Sequence, residues 1–450
     1  MTMTSLSPST PTVAVIGAGL AGLTTAYRLQ QKGIDVQVYE ARNHVGGRVL
    51  TALINGTVVE LGGQNITDGG EASTMRTLIK EMGLTTTESQ NLMRCAYYDG
   101  TTITPDFELT ASLSLAPEEL HTKLVDLAAQ SGTMEEVLDG ILERGSPLYT
   151  MIATRLAAYE GAPVDQLSSH YSGTLYAMLT GGVARAHPGK PESQKSYFHR
   201  ASVAGGNAQL PEALARRLGV HLHLNHQLTD VTRNADASYQ LTFANRVVAR
   251  ADRIVFAIPC SVYNDITFDD GVIPAPQLAA MREVPYGTNA KIFVPGIIAS
   301  EDTRALTNDH ATSWFNDNQL IIYYTGASSF FTPDTIGNSY LQERPMLGLE
   351  YGQQCPPFQT PAYAQDTQFC SYTGPVGYSW PNDPYVKGSY SYIAPGKEEG
   401  MLSKSIFATV DNRIYFAGEH ASILSNVPGT MEAACESGER VARIILESLS

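Results

Sequence analysis

Apolar residues recur at two spacings along this chain, every second position in some stretches and every third or fourth in others, and the changes between them mark its elements. Thr12–Ile16 is a short β-branched and apolar run that breaks at Gly17, as a strand buried in a parallel sheet does. Leu20, Leu23, Ala26 and Leu29 then keep one apolar helical face, Gly33 suits its stop, and Asp35–Tyr39 returns to strand. Helical patterns such as Met75–Leu84 and Pro117–Gln130 occupy 71–198 without strand alternation, which predicts a helical insertion. After Ala204 a helix started by Pro211 and stopped at Gly219 precedes strands at Val220–Leu224, Gln227–Asn234 and Ser238–Phe243 and an alternating run over Arg246–Pro259. A turn from Val284 leads into a strand in which Lys291 stands among Ala290, Ile292, Phe293 and Val294 and shares a face with Asn289 and Phe293. Aromatic strands at Ser313–Phe315 and Leu320–Tyr324 carry no assignable chemistry, and a strand at Arg413–Ala417 precedes an amphipathic helix from near Thr430.

The first strand, helix and second strand carry a specific chemistry. Gly17, Gly19 and Gly22 form G-x-G-x-x-G: a tight turn, a close backbone approach to a pyrophosphate, and a close helix–strand contact. Glu40 ends the second strand 18 residues after Gly22, where this βαβ unit places an acid on a ribose hydroxyl while the positive helix end faces the phosphates. The spacing predicts a dinucleotide cofactor. Gly46 and Gly47 again permit close approach, and Arg42 and Arg48 can face phosphate or a flavin edge or else stand as solvated charges.

Composition narrows the setting. The 450 residues predict two or three domains, and 43% hydrophobic residues suffice for a large core. A formal net charge of −15 argues against nucleic acid or an anionic membrane as partner. Cys95, Cys260, Cys355, Cys370 and Cys435 show no disulfide or zinc spacing, so they read as free thiols in a reducing, cytoplasmic compartment. The first residues read as a loose polar tail rather than a signal peptide, and no apolar run is long enough to span a bilayer. His221, His223 and His226 lie close together, but alternating histidines on a solvated strand face without an acidic or cysteine neighbour predict no metal site. Thr180–Ser193 reads as an exposed, mobile loop.

The stretch E-A-R-x-x-x-G-G-R followed by x-x-E-L-G-G resembles the flavin amine oxidases, the group of monoamine, polyamine and L-amino acid oxidases. F-A-G-E-H, then G-T-M-E-x-A-x-E-S-G-E-R, is similar to the same family, as is a W-x-x-x-x-x-x-x-G-x-Y loop at Trp380, Gly388 and Tyr390. The resemblance implies FAD in an α/β and α+β fold: a Rossmann-like FAD-binding domain over 10–70, 199–285 and 386–450, interleaved with a mixed sheet-plus-helices substrate domain over 71–198 and 286–385. It implies FAD contacts from Gly17, Gly19, Leu20, Ala21 and Gly22, from Glu40, Ala41 and Arg42, and from Gly46, Gly47 and Arg48. Further FAD contacts are implied for Gly62, Gly63 and Gln64, for Leu228 near the adenine, and for Gly418, Glu419, Thr430 and Met431. The start of the final helix would direct its positive end at the flavin edge where charge accumulates on reduction. Lys291 matches the family's lysine that holds a water against flavin N5; an edge-strand lysine that deters aggregation is the competing reading.

Three departures shape the expected substrate. Monoamine oxidases attach flavin through a cysteine just before the loop tyrosine, and this chain has Ser389, which implies non-covalent FAD. The second aromatic of the family's cage is replaced by Thr430, leaving Tyr390 alone. Gln64 stands where L-amino acid oxidases carry a carboxylate-binding arginine, so Gln64, Tyr390 and Thr430 are expected to meet an amine, or an amino acid masked as ester, amide or carrier-bound thioester. The implied reaction is hydride transfer from the carbon bearing nitrogen to flavin N5, with oxygen as acceptor, Lys291 positioning a water and the enzyme a homo-oligomer. His170, His199 and Tyr176 are read as filling the substrate domain. A carbon–carbon desaturase of the phytoene or porphyrinogen type, an L-amino acid oxidase and a non-catalytic flavin-binding protein remain alternatives.

Overall fold

The computed structural model describes residues 12–66, 72–90, 94–113, 115–180, 199–297, 304–316, 319–352, 359–424 and 429–449. Residues 181–193 of the expected loop, Cys355 and the first eleven residues lie outside these; Cys260, Cys370 and Cys435 are free thiols.

Val13–Ile16, apolar and buried throughout, is the middle strand of a five-stranded sheet. Val36–Tyr39 and then Leu222–His223 flank it on one side, Arg253–Phe256 and Ile414–Phe416 on the other, all parallel. The chain leaves this strand toward one neighbour and receives the other from far along the sequence, so a crevice opens beyond its carboxyl end. Gly17 turns there with φ +102°, and a Cβ on it would sit 2.6 Å from the Ala257 carbonyl oxygen. The helices Leu20–Gln31 and Met431–Glu447 cover one face and press together at Gly438, where a Cβ would lie 2.5 Å from the Ala21 oxygen.

The second large sheet has eight strands, in the order Ala362–Tyr363, Val376–Ser379, Asn289–Val294, Gln319–Thr325, Ala311–Asn316, Arg304–Thr307, Arg94–Tyr98 and Ile103–Pro105. Asn289–Val294 is interior, antiparallel to both neighbours and buried along its length. Lys291 therefore stands between Tyr323 and Tyr378 on one sheet face, which removes the edge-strand reading.

Several sequence expectations need correction. Within 71–198 the helices Ser73–Glu81, Pro117–Gln130, Met134–Asp139, Pro147–Glu160 and Ser172–Leu179 form, but so do the strands Thr86–Gln90, Arg94–Tyr98 and Ile103–Pro105. These are short and polar, so their pattern is weak, and neighbours distant in sequence supply the pairing: Thr86–Gln90 pairs with His199–Val203, and Arg94–Tyr98 with Arg304–Thr307. The strand expected at Val220–Leu224 shrinks to Leu222–His223, because Gly219–His221 continues the preceding helix as a 3₁₀ turn. That helix is Gln209–Leu218, with Pro211 inside its first turn. The run over Arg246–Pro259 breaks at Asp252 into Val248–Ala251 and Arg253–Phe256, which join different sheets. Among the described residues no helix is long and apolar enough to cross a membrane.

The helix contact at Gly438 makes a direct test. Gly438→Ala is expected to destabilise by about 1–3 kcal/mol through overpacking. Gly348→Ala, at an exposed helical position with nothing within 4 Å, should be neutral or stabilise by up to about 1 kcal/mol. Chemical denaturation of both variants reads the difference.

Candidate active site

The crevice at the carboxyl ends of the parallel strands extends to the eight-stranded sheet as one cavity of about 1150 Å³. Every site residue named from the sequence borders it except Gly22. Gly22 instead faces the strand turn, where a Cβ would overlap the Gly17 carbonyl oxygen.

At one end the helix Leu20–Gln31 begins at Gly19, which has no side chain to cap it, and its first turn holds no acid. The leading N–H groups of a helix lack intrahelical acceptors, so this start presents free donors and a positive dipole end. Gly46, at φ +113°, bridges to Gly19, and its N–H donates to the Ala18 carbonyl at 3.0 Å. Glu40 is buried beneath this loop. One of its oxygens accepts from the Ala18 N–H at 2.7 Å and the other from the Arg42 N–H at 2.9 Å, while burial raises its carboxyl above the ordinary range. Arg42 departs from expectation: its buried guanidinium donates to both oxygens of Asp383 at 2.7 Å and pairs with Asp366, so carboxylates hold it rather than leaving it free for phosphate. Leu228 lies further along with Tyr39 and His226. Gln37 bonds both His221 and His223, and His223 stacks on Tyr39 at 4.9 Å.

Midway along the cavity Arg48 donates to Glu419 at 2.8 Å and to the Ser389 carbonyl, with its guanidinium over the Tyr286 ring. Glu419 also accepts from the Ser391 N–H at 3.0 Å and the Ser391 hydroxyl at 2.7 Å. Burial opposes ionisation, but the Arg48 charge prevails and holds this carboxyl below its ordinary range. His420, which sequence reasoning passed over although it follows Glu419 directly, is buried beside them. Its Nδ1 meets the Tyr286 hydroxyl at 3.0 Å, its Nε2 has no partner among the described residues, and burial pushes it down to about 4, leaving a neutral imidazole. Thr430 caps the final helix by accepting from the Ala433 N–H at 3.2 Å, and Met431 packs on Gly63.

At the far end Lys291 is enclosed. Its Nζ donates to the carbonyls of Glu60 at 2.9 Å and Gly62 at 2.7 Å and to Gln64 Oε1 at 3.0 Å. Those acceptors match the three hydrogens of an ammonium, so the water expected on this lysine has no free Nζ donor to hold it. Burial nevertheless pulls Lys291 down to about 7. The Glu60 carboxyl points the other way, accepting from the Asn207 N–H and the Thr51 hydroxyl, and burial pushes it up to about 8. Gln64 Nε2 has no partner among the described residues. Tyr390 is anchored: its hydroxyl bonds the Tyr159 and Ala158 carbonyls at 2.9 and 3.1 Å, and its ring packs against Gly161 and Gly429. Trp314 and Tyr323, from strands that read as chemically silent, line this end. The signal was their phase: in sheet register Tyr323 faces Lys291, and Trp314 stands two residues along the same face from the partner of Tyr323. His170 also borders the cavity rather than only filling its domain, Tyr176 packs edge-on against His121, and of His199 only the backbone is described.

The model of the flavin-containing amine oxidoreductases matches residues 20–295 and 376–446, and the chain belongs to this family. Among curated relatives it is 26% identical over 462 residues to lysine-specific histone demethylase 1 homolog 2 of Oryza sativa subsp. japonica, covering 97% of this chain but 57% of that protein, so the chain spans little over half of that relative's length. Among solved structures it superimposes on cyclohexylamine oxidase from Brevibacterium oxydans with a TM-score of 0.75 at 20% identity, covering 98% of this chain and 99% of that one. It also superimposes on putrescine oxidase bound to putrescine with a TM-score of 0.72 at 20% identity, covering 97% and 99%. At that identity the structural likeness establishes the fold, which is the interleaved α/β and α+β architecture expected from the sequence.

The buried Glu60 gives a pH test. Its folded value lies above its ordinary one, so its stabilising contribution is complete below about 4.5 and is lost as pH rises toward about 8. Lys291, shifted downward, adds stability only as pH rises above about 7. Between about pH 5 and about pH 7, wild type should therefore lose on the order of 2 kcal/mol relative to Glu60→Gln. Denaturation curves of the two proteins across that range check it; parallel pH dependences would contradict it.

Proposed function

We propose that this chain is an FAD-dependent amine oxidase, removing a hydride from the carbon bearing nitrogen and a proton from the nitrogen to leave an imine, with oxygen as the final electron acceptor. The observation that carries this reading is the single cavity running from an uncapped helix start to the Lys291–Gln64 pair. Its volume exceeds the roughly 300–1000 Å³ of ordinary small-molecule pockets, which suits a dinucleotide together with a substrate.

The residues fit FAD. The backbone at Gly17, Gly19, Leu20 and Ala21, with Gly46 and Gly47, would hold the pyrophosphate; Glu40 would take a ribose hydroxyl on its remaining lone pairs, with Leu228 beside the adenine. Arg48, Glu419 and the Gly418 backbone would hold the flavin chain, and the helix start at Thr430 and Met431, which packs on Gly63, would face the ring. Bound there, FAD supplies a two-electron acceptor at its N5. Ser389 cannot form a thioether, and its hydroxyl is bonded to Asn289, which supports a non-covalent cofactor. Trp314, Tyr323 and Trp380 supply apolar walls that exclude water from the reacting carbon. Lys291 acts by fixing Gln64 and the 60–62 carbonyls rather than through a water. The segments 10–70, 199–285 and 386–450 would form the cofactor domain and 71–198 and 286–385 the substrate domain; the free thiols support a cytoplasmic setting.

The purified protein should be yellow, acid precipitation should release the flavin, and amines should bleach it anaerobically and generate hydrogen peroxide in air. Lys291→Met should keep FAD while slowing anaerobic reduction at least about tenfold, roughly 1.4 kcal/mol in barrier. Colour retained in the acid pellet would contradict non-covalent binding, and an unchanged rate would remove Lys291 from the mechanism.

A further inference from the structure

Two N–H donors at the substrate end have no partner among the described residues. Gln64 is only 7% exposed and borders the cavity. Its amide orientation is fixed because Oε1 accepts from Lys291 Nζ, and a flipped amide would set two donors against each other. Nε2 is consequently a pure donor, and it has no partner among the described residues. The indole Nε1 of Trp314 is also buried without a partner there, and an indole N–H can only donate. The two belong to one patch: Lys291 Nζ lies 5.9 Å from the centre of the Tyr323 ring, and Tyr323 lies 5.5 Å from Trp314. A buried donor left unbonded costs about 1–3 kcal/mol, so two in one cavity wall point to a ligand acceptor.

Resting on the amine oxidase reading above, we infer that the substrate is an amine carrying a neutral carbonyl oxygen close to its nitrogen, an α-amino ester or amide, whose oxygen accepts from Gln64 Nε2, with Trp314 Nε1 as a further neutral donor on the same cavity wall. A free carboxylate fits less well, because both donors are neutral and the three contacts of the nearby ammonium are already made to protein oxygens. A plain amine, whose nitrogen has a single lone pair, would leave at least one donor unbonded.

The test uses the flavin-loaded enzyme and matched ligands. Anaerobic flavin reduction is followed with 2-phenylethylamine, phenylalanine, phenylalanine methyl ester and phenylalaninamide. Binding is read separately from flavin difference spectra with methyl 2-aminoisobutyrate and tert-butylamine, neither of which has a hydrogen on the carbon bearing nitrogen. The ester and amide should show kcat/KM at least about tenfold above the plain amine and the free acid, and the unreactive ester should bind at least about tenfold tighter than tert-butylamine. Gln64→Leu should collapse both ratios toward one; Trp314→Phe, which keeps the ring and removes the N–H, should lower them in the same direction and serves if Gln64→Leu does not fold. Reduction by the plain amine with no ester or amide preference would overturn this inference and leave the amine oxidase reading standing. Ratios unchanged in both variants would overturn it too. Bleaching by none of the four reactive compounds would contradict the amine oxidase reading and the inference with it.

Discussion

A carboxylate taken out of water must be fully bonded or it destabilises the fold by several kcal/mol, and two such groups organise this molecule. Glu40 bonds the backbone N–H of Ala18 within the glycine turn and that of Arg42 just past the second strand. Glu419 draws together Arg48 from the N-terminal segment and Ser391 from the loop before the last strand. Segments hundreds of residues apart are thereby fixed around one cavity. Both carboxylates border that cavity, and each is held on two sides.

The far end follows the same rule with the opposite charge. Lys291 enters the core from an interior strand and is tolerated because the 60–64 turn brings it three oxygens. Gln64 is shared between that ammonium and the cavity, so one end of its amide is fixed and the other is left to meet a ligand. Charge near the reacting carbon is thus kept inside the protein lattice, and the surface offered to a substrate is aromatic with a few neutral donors. Such a wall discriminates by hydrogen bonding more than by charge.

Much of this was legible along the chain. Gly17, Gly19, Gly22 and Glu40 have roles set by local spacing, and the structure puts them where that spacing requires; the final helix starts at the residue its pattern indicated. Contacts between distant segments were not legible. Nothing local to Arg42 announces that Asp366 and Asp383 will take its guanidinium, and the carbonyls that meet Lys291 Nζ come from a turn more than two hundred residues earlier. Trp314 and Tyr323 alternate in plain view, but only the register against Lys291 shows which of their faces meets the cavity. The polar strands within 71–198 escaped notice because their stabilisation comes from partners rather than from their own composition.

A dinucleotide gripped at its adenylate half by the glycine turn would reach the Gln64 end with its flavin. Titrating FAD and FMN into flavin-stripped protein, with affinity read by calorimetry, tests it most directly. FAD is expected to bind at least about a hundredfold tighter than FMN, roughly 2.7 kcal/mol contributed by the adenylate half. Equal affinities, or no binding of either, would contradict it.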